Sequence, residues 1–136
     1  MKTTNYYNTF IEVAEDCPVK VAEVPLRKGE APTVASIQFE ILNGNPYEHT
    51  SDDVLFQVHA IRNDIARRDY ARIREEFFAR GQACFRSSPL TKRYGWGVHS
   101  DAEGRIAIFP VESREYATLS KDRDLKHLRA LRSKRA

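Results

Sequence analysis

The sequence predicts an α+β fold in which a mainly antiparallel sheet of about five strands carries helices packed on one face. Three observations predict this class. The length of 136 residues is that of one domain. A composition of 41% hydrophobic and 30% charged residues, with only 6 Gly and 6 Pro, excludes collagen-like and disordered chains. Strand-like and helix-like segments then follow one another in mixed order, which is typical of α+β domains.

The first elements are predicted from residue types and terminal signals. Thr9 to Ala14 is β-branched and aromatic, which favours a strand. Residues 18–32 contain three prolines and a glycine, which indicates an irregular connection. Residues 33–43 fit both a half-buried strand and a helical stripe. Thr33 as an N-cap and Asn43-Gly44 as a left-handed C-cap favour the helix.

A strand and a helix are predicted next. Val54 to Ile61 alternates apolar and polar residues, which predicts a central strand. Residues 65–80 form the clearest helical pattern, and Gly81 stands where a left-handed C′ residue belongs. We expect the apolar side of this helix to be buried against the sheet, with contacts between two sets of residues: Ile73, Phe77 and Phe78 on the helix, and Phe56, Val58 and Ile108 opposite.

Three further strands and two helices complete the prediction. The strands are residues 83–86, 92–99 and 105–111, and Gly104 ends the hairpin loop between the last two. Ser113 can cap a helix over residues 114–120. A final helix is expected from Asp124, because leucines recur every third residue there at Leu125, Leu128 and Leu131.

Charge and cysteine usage limit the class of protein. The net charge of +3 divides into −5 over residues 1–60 and +8 over residues 61–136. A basic half attracts phosphates or acidic partners, although an arginine-rich helix is also typical of a solvated surface. Cys17 and Cys84 are too few for a disulfide framework, and no Cys/His spacing is typical of a metal site. Neither a secretory signal nor a membrane-length apolar run is present. We therefore expect a cytoplasmic protein without membrane association, metal or cofactor.

The segment from Arg86 to His99 is the best candidate for a site. It combines three cations, three hydroxyl residues, two large aromatic residues and two glycines that flank Trp96. Glycines within a strand often mark the close approach of another group, and a turn at Pro89 can hold an anion. The pattern predicts a pocket for a small anionic ligand or a protein partner, formed by Arg86, Ser87, Ser88, Lys92, Arg93, Tyr94, Trp96 and His99. The alternative is a Trp96 packed in the core beside a solvent-facing basic turn.

No catalytic residues are predicted. Asp52 and Asp53 are adjacent, so their carboxylates point apart, and a turn or cap role is expected for them. Cys84 could pair with His99 or His59, but a lone cysteine between apolar residues is more typical of a small buried side chain. Without a nucleophile beside an oriented base, we expect a binding module rather than an enzyme.

The C-terminal segment suggests an alternative function. Residues 121–136 carry seven Lys or Arg against two Asp, so the last helix is expected to dock and to end in a frayed basic tail. That tail could bind nucleic acid through Arg132, Lys134 and Arg135, with Tyr94 or Trp96 stacking on bases. A homodimer is left open.

Several long runs resemble a small bacterial family that is catalogued only as a domain of unknown function. The runs are residues 5–18, 50–56, 87–99 and 132–135, and the resemblance covers nearly the whole chain. It implies a single compact cytoplasmic domain over residues 1–136. It implies no activity, since none is established for that family.

A second resemblance is to the MmcQ/YjbR double-wing proteins. It rests on Pro46-Tyr47 upstream of a strand and on the aromatic, glycine-flanked strand at Trp96. The order of elements matches only loosely. This resemblance implies an α+β fold and DNA binding, and it carries no residue roles.

Overall fold

A computed structural model describes residues 1–27, 29 and 31–134. The strands are Thr9–Glu12 (β1), His49–Thr50 (β2), Trp96–Ser100 (β3), Arg105–Pro110 (β4) and Lys126–Arg129 (β5). The helices are Val34–Leu42 (α1), Ser51–Arg62 (α2), Tyr70–Ala79 (α3), Pro89–Lys92 (α4) and Arg114–Lys121 (α5), with 3-10 turns at Arg67–Asp69 and Phe85–Ser87. Over the described ranges, none of these helices has the length and apolar character needed to cross a bilayer.

The strands form one sheet in the order β2-β4-β3-β1-β5. All neighbours are antiparallel except β1 and β5, which are parallel. The hairpin of β3 and β4 turns at Gly104, whose φ of +81° is a conformation that favours glycine. The predicted α+β class and mainly antiparallel five-stranded sheet are therefore confirmed.

The two faces of the sheet are covered by different helices. Ile11 and Val98 point to one face, where they pack in the main core with Phe39 and Leu42 of α1. Phe10 alternates to the other face and meets the Tyr116 ring of α5 edge-on at 5.0 Å between centroids. Helix α5 therefore lies opposite to α1, which corrects the expectation that the helices share one face.

Local terminal signals place α1 correctly. The Thr33 side chain accepts a hydrogen bond from the Ser36 N–H, and the Ser36 hydroxyl oxygen accepts one from the Thr33 N–H. This reciprocal pair satisfies two of the free donors at the start of the helix. At the other end, the cap residue Asn43 is extended, at φ −67° and ψ 121°, and of the predicted pair only Gly44 is left-handed, at φ +80°. Ser113 likewise caps α5 as expected, since its side chain accepts a hydrogen bond from the Tyr116 N–H.

The strand predicted over residues 54–61 is wrong, because this segment is helix α2. The alternating residues Val54, Phe56, Val58 and Ala60 are all buried. They do not share one face: Val54 packs in the main core, whereas Phe56 and Ala60 pack in a second cluster with Phe78 of α3. A helix enclosed on two sides buries residues at many spacings, so its pattern imitates that of a strand.

The helix predicted over residues 65–80 is confirmed from Tyr70 to Ala79, after a 3-10 turn at Arg67–Asp69, but its packing partner differs from the prediction. Phe78 is fully buried against Phe56 in the second cluster, which Ile73 and Phe77 cover in part. Ile108 belongs to the main core instead. Helix α3 therefore packs on α2 rather than on the sheet. It ends where Arg80 turns extended, at φ −94° and ψ 149°, without the left-handed cap expected at Gly81.

Two further predicted elements, both after residue 80, are also wrong. Residues 83–86 form no strand, because a 3-10 turn begins at Phe85. The expected final helix is strand β5, held by hydrogen bonds from the Lys126 N–H to Asn8 O and from the Ala130 N–H to Glu12 O, both 2.9 Å. The strand expected over residues 92–99 is shortened, since α4 occupies its beginning and β3 starts at Trp96.

Candidate functional site

The structure separates the most distinctive residues of the predicted site. The Trp96 ring meets Phe39 edge-on at 5.2 Å on the α1 face, and its Nε1 donates to Glu23 O at 2.8 Å. His99 lies on the opposite face, where its Nδ1 is 2.8 Å from the Tyr47 hydroxyl. Burial lowers the pKa of His99. The sheet therefore stands between Trp96 and His99.

The cations and hydroxyls of the predicted site also point to separate places. Arg86 donates from Nε to the carbonyl oxygen of Arg129, at 2.7 Å, on the outer side of β5. Lys92 ends α4, and Arg93 follows it with an exposed side chain. Ser87 lies in the 3-10 turn, whereas Ser88 is buried as the N-cap of α4. These side chains do not converge on one pocket.

A strap from the irregular segment covers Gly95, which precedes Trp96. The Glu23 N–H donates to Tyr94 O at 2.9 Å, so this segment runs alongside the start of β3. A Cβ atom at Gly95 would lie 2.9 Å from Val19. The close approach expected at the glycines is therefore made by the protein itself. A depression of about 300 Å³ beside Trp96 is lined mostly by apolar residues, together with Asn43, and by none of the predicted cations.

The paired aspartates have cap and anchor roles. Asp53 accepts a hydrogen bond from the Thr50 N–H and one from Arg74, both at 3.0 Å. Burial alone would raise the pKa of Asp53, but these bonds bring it below the usual range. Asp52 is 1% exposed and accepts hydrogen bonds from Thr4 and Thr3, which hold the N-terminal segment on α2.

Cys84 forms a hydrogen bond with the phenol of Tyr6 rather than with the imidazole of His59 or His99. Its Sγ is 3.3 Å from the Tyr6 hydroxyl. Burial and the contact with Cys84 raise the pKa of Tyr6 to about 12, so this hydroxyl stays protonated at neutral pH. A protonated phenol cannot act as a general base, so this contact does not supply the thiol with the base that a nucleophilic pair needs.

The C-terminal tail is held along the protein as far as the structure describes it. The Asp16 carboxylate accepts hydrogen bonds from the backbone N–H of Lys134, at 2.9 Å, and of Ser133, at 3.0 Å. The bond from Lys134, with that from Ser133, lowers the pKa of Asp16. Arg132 and Lys134 are exposed, and Arg135 lies outside the described residues. The expected fraying therefore does not extend to residues 131–134.

A cavity of about 460 Å³ lies between α1, α2, α3 and the segment after α3, in a place that the sequence did not indicate. Val34, Leu55 and Val58 supply apolar wall, and Gln38, Asn63 and Gln82 supply polar groups. We call it the helical cavity. A second cavity of about 470 Å³ adjoins it and shares four of its residues: His59, Asn63, Phe77 and Gln82. Both volumes fall within the range of small-molecule sites.

Two stacked rings form the boundary that the cavities share. His59 and Phe77 lie 4.5 Å apart at an interplanar angle of 31°. The Asn63 side chain donates to His59 O at 2.9 Å and lies 3.3 Å from the His59 Nδ1. Gln82 donates to Phe77 O at 2.7 Å. Asn63 thus contacts the His59 ring, Gln82 fixes the backbone of Phe77, and the two rings give both cavities an aromatic wall on which a planar apolar group can stack.

Arginines lie at the openings of both cavities. Arg62 lines the helical cavity, and Arg80 lines the adjoining one. Both are exposed, and neither takes part in an ion pair with another described residue. Glu76 lines the adjoining cavity but pairs with Arg72 at 3.4 Å. The openings therefore present positive charge to a ligand.

The inner end of the helical cavity is polar. Gln38 of α1 lines this cavity and is only 2% exposed. Its Oε1 accepts a hydrogen bond of 2.5 Å from the Ser88 hydroxyl, whose own oxygen already accepts one from the Leu90 N–H. One signal in the sequence could have found this residue: Gln38 is the polar member of the apolar stripe of α1. The other cavity residues come together only through the packing of α1, α2 and α3.

Comparison with known proteins assigns a family and no activity. A family model described as "Family of unknown function (DUF6157)" matches residues 1–136. This agrees with the resemblance to a domain of unknown function. Neither the curated proteins nor the solved structures gave a match.

Proposed function

We propose that this chain, which belongs to the family of unknown function DUF6157, is a non-catalytic binding module for a small organic anion. The site is the helical cavity rather than residues 86–99. One observation supports this more than any other: the arginines at the openings, Arg62 and Arg80, flank the stacked rings of His59 and Phe77. Apolar walls beside unpaired cations are suited to a molecule with an apolar body and a negative group.

The chemistry of the openings favours an anion over a cation or a neutral molecule. Two guanidinium groups repel an ammonium group and can donate two parallel hydrogen bonds to a carboxylate or a phosphate. The carboxylate of Glu76 is already engaged by Arg72. Since both arginines are exposed, the charge is expected to add modestly to affinity and to weaken in salt.

Titration with benzoate and benzamide tests the charge preference. These probes have the same ring, but only benzoate is negative. Benzoate is expected to shift the amide NMR signals of His59, Arg62 and Phe77, and to bind about three- to tenfold more tightly than benzamide, the factor that one hydrogen bond supplies. If neither probe shifts these signals at its solubility limit, the proposed function is wrong.

Matched arginine variants test the location. Arg62→Gln and Arg80→Gln should each weaken benzoate binding and leave benzamide binding unchanged. Arg68→Gln removes the same charge from an exposed residue of the 3-10 turn that lines neither cavity, so it should bind benzoate as the wild type does. Equal weakening in all three variants would indicate a general effect of charge and would contradict the site.

A second candidate function is binding to nucleic acid. The observation in its favour is that the Asp16 carboxylate binds the backbone of the C-terminal tail. The exposed Arg132 and Lys134 of the tail therefore continue the line of exposed cations that begins with Lys126 and Arg129 in β5. Cations along one edge can follow a phosphate backbone. The expected stacking by Trp96 has less support, because the ring packs on Phe39 and its N–H is bonded to Glu23.

A further inference from the structure

We infer that Gln38 determines the specificity of the helical cavity, and that the ligand carries an uncharged hydrogen-bond acceptor, such as a carbonyl oxygen, at the end opposite to its negative group. This inference rests on the proposed function of that cavity. It adds the chemistry of the buried end to that of the opening.

Hydrogen-bond accounting shows which part of Gln38 faces the cavity. Within the described ranges, Ser120 Oγ is the one fully enclosed side-chain nitrogen or oxygen without a hydrogen-bond partner. The Nε2 of Gln38 makes no hydrogen bond to a described residue, since Ser88 bonds only to its Oε1. This nitrogen is therefore not among the fully enclosed atoms without a partner, and because Gln38 lines the helical cavity, we place the nitrogen against that cavity.

The amide of Gln38 is oriented by its hydrogen bond with Ser88, in which the Ser88 hydroxyl donates to the carbonyl oxygen of Gln38. The Ser88 oxygen accepts from the Leu90 N–H at 3.1 Å, so the Ser88 hydroxyl has its own hydrogen left to donate to Gln38. Only the carbonyl end of Gln38 can accept that hydrogen. The N–H groups are thereby directed into the cavity before any ligand arrives, which saves the cost of ordering them on binding.

The surroundings of the amide select the kind of acceptor. Val34, Leu55 and Val58 line the same cavity, so a charged group beside Gln38 would lose its hydration without gaining an opposite charge. A neutral carbonyl oxygen satisfies the donor at a smaller cost. The negative group belongs at the opening, where Arg62 is exposed. A site with a buried donor also discriminates against a ligand that leaves this donor unpaired.

A pair of probes that differ in one oxygen tests this inference. The probes are para-acetylbenzoate and para-ethylbenzoate, which share their carboxylate, ring and approximate shape. The wild-type protein should bind the acetyl compound about three- to tenfold more tightly, as one hydrogen bond predicts. Amide NMR titration gives both affinities, and at saturation the Gln38 side-chain NH₂ signal should shift further with the acetyl compound than with the ethyl compound.

Two variants show whether Gln38 is responsible. Gln38→Met keeps the length of the side chain and removes its donors, so it should bind the two probes equally. Gln38→Glu retains an acceptor for Ser88 but loses the N–H groups, and it should also lose the preference. Thermal unfolding shows which variants fold, and the wild-type ratio remains decisive if neither does.

The outcomes separate this inference from the proposed function. Equal binding of both probes by the wild type would overturn the role of Gln38 and leave the anion site standing. Binding of neither probe would overturn both. A preference that persists in Gln38→Met would mean that another group recognises the carbonyl oxygen, and the inference would be wrong.

Discussion

At the residue scale, close contacts and hydrogen bonds give the most direct tests of the structure. Gly97 allows α5 to approach the sheet, because a Cβ atom there would lie 2.6 Å from the Tyr116 ring and 2.8 Å from the Phe10 ring. Gly81 is a matched contrast, since its nearest neighbour would be a Lys2 side-chain atom at 4.0 Å. The two glycines therefore differ in what an added methyl group would meet.

Gly97→Ala should destabilise the protein by about 1–3 kcal/mol, the usual cost of overpacking a tight contact. Gly81→Ala should change stability by less than about 0.5 kcal/mol, as at an open surface site. Urea unfolding of the two variants measures the difference. Equal effects would mean that α5 does not pack on Gly97.

Asp53 predicts a dependence of stability on pH. The pKa of Asp53 in the folded protein lies below its ordinary value of 3.8, so the unfolded chain binds the proton more tightly and protonation favours unfolding. The stability that Asp53 contributes is therefore present above about pH 4 and is lost as the pH falls through the folded-state pKa. Asp53→Asn should be less stable than the wild type at pH 7, and this gap should narrow at pH 3. Urea unfolding at both pH values provides the comparison, and a gap that widens in acid would contradict it.

At the scale of elements, the pairing of α2 with α3 positions the proposed site. Phe56 and Phe78 join these helices, and Phe77 completes the cluster from the cavity side. The Arg74 guanidinium lies over the Phe56 and Phe78 rings, at 5.6 and 5.5 Å, and also pairs with Asp53. These contacts hold α3 against the first turn of α2. If the two helices separated, the helical cavity between them would be lost.

Phe78→Ala should cost about 3–5 kcal/mol, because the whole ring is buried. Phe77→Ala should cost clearly less, since this ring is half-buried and already borders the cavities. It should nevertheless weaken benzoate binding by removing the stacking surface. The free energy of unfolding separates the two variants, and the reverse order would mean that the helix faces are misassigned.

At the scale of the whole molecule, charge distribution governs the alternative function. The basic second half of the sequence provides the exposed cations of β5 and of the tail, which the Asp16 carboxylate holds in place. Glu12 and Asp16 lie beside these cations and partly offset their field. Binding to nucleic acid at this edge is therefore expected to be strongly dependent on salt.

If the edge binds nucleic acid, affinity for generic duplex DNA should fall steeply between about 50 and 200 mM salt. Arg129→Gln and Arg132→Gln should each reduce the slope of log affinity against log salt concentration by about one, while Arg68→Gln serves as the distant control. Fluorescence anisotropy measures both quantities. The absence of binding at low salt would remove this candidate function.

The features predicted correctly from the sequence depend on neighbours along the chain. The caps at Thr33 and Ser113, the turn at Gly104 and the strand at Thr9 follow from side chains that bond or clash within a few residues. These local constraints act in any fold. They were enough to establish the α+β class and, within a residue, the bounds of α1, β4 and α5.

The remaining features depend on what packs against each segment. Helix α2 is buried on two sides, so its apolar residues do not show a helical period. The segment around Leu128 has a helical leucine spacing, but it forms a strand because the edge of β1 provides backbone hydrogen-bond partners for it. The site follows the same rule. Arg86 and Trp96 are near in sequence yet separated in space, whereas Gln38, Arg62 and Phe77 share a cavity because three helices meet there. A binding site is a property of surfaces brought together from distant parts of the chain, and that convergence is set by burial of apolar surface rather than by local pattern.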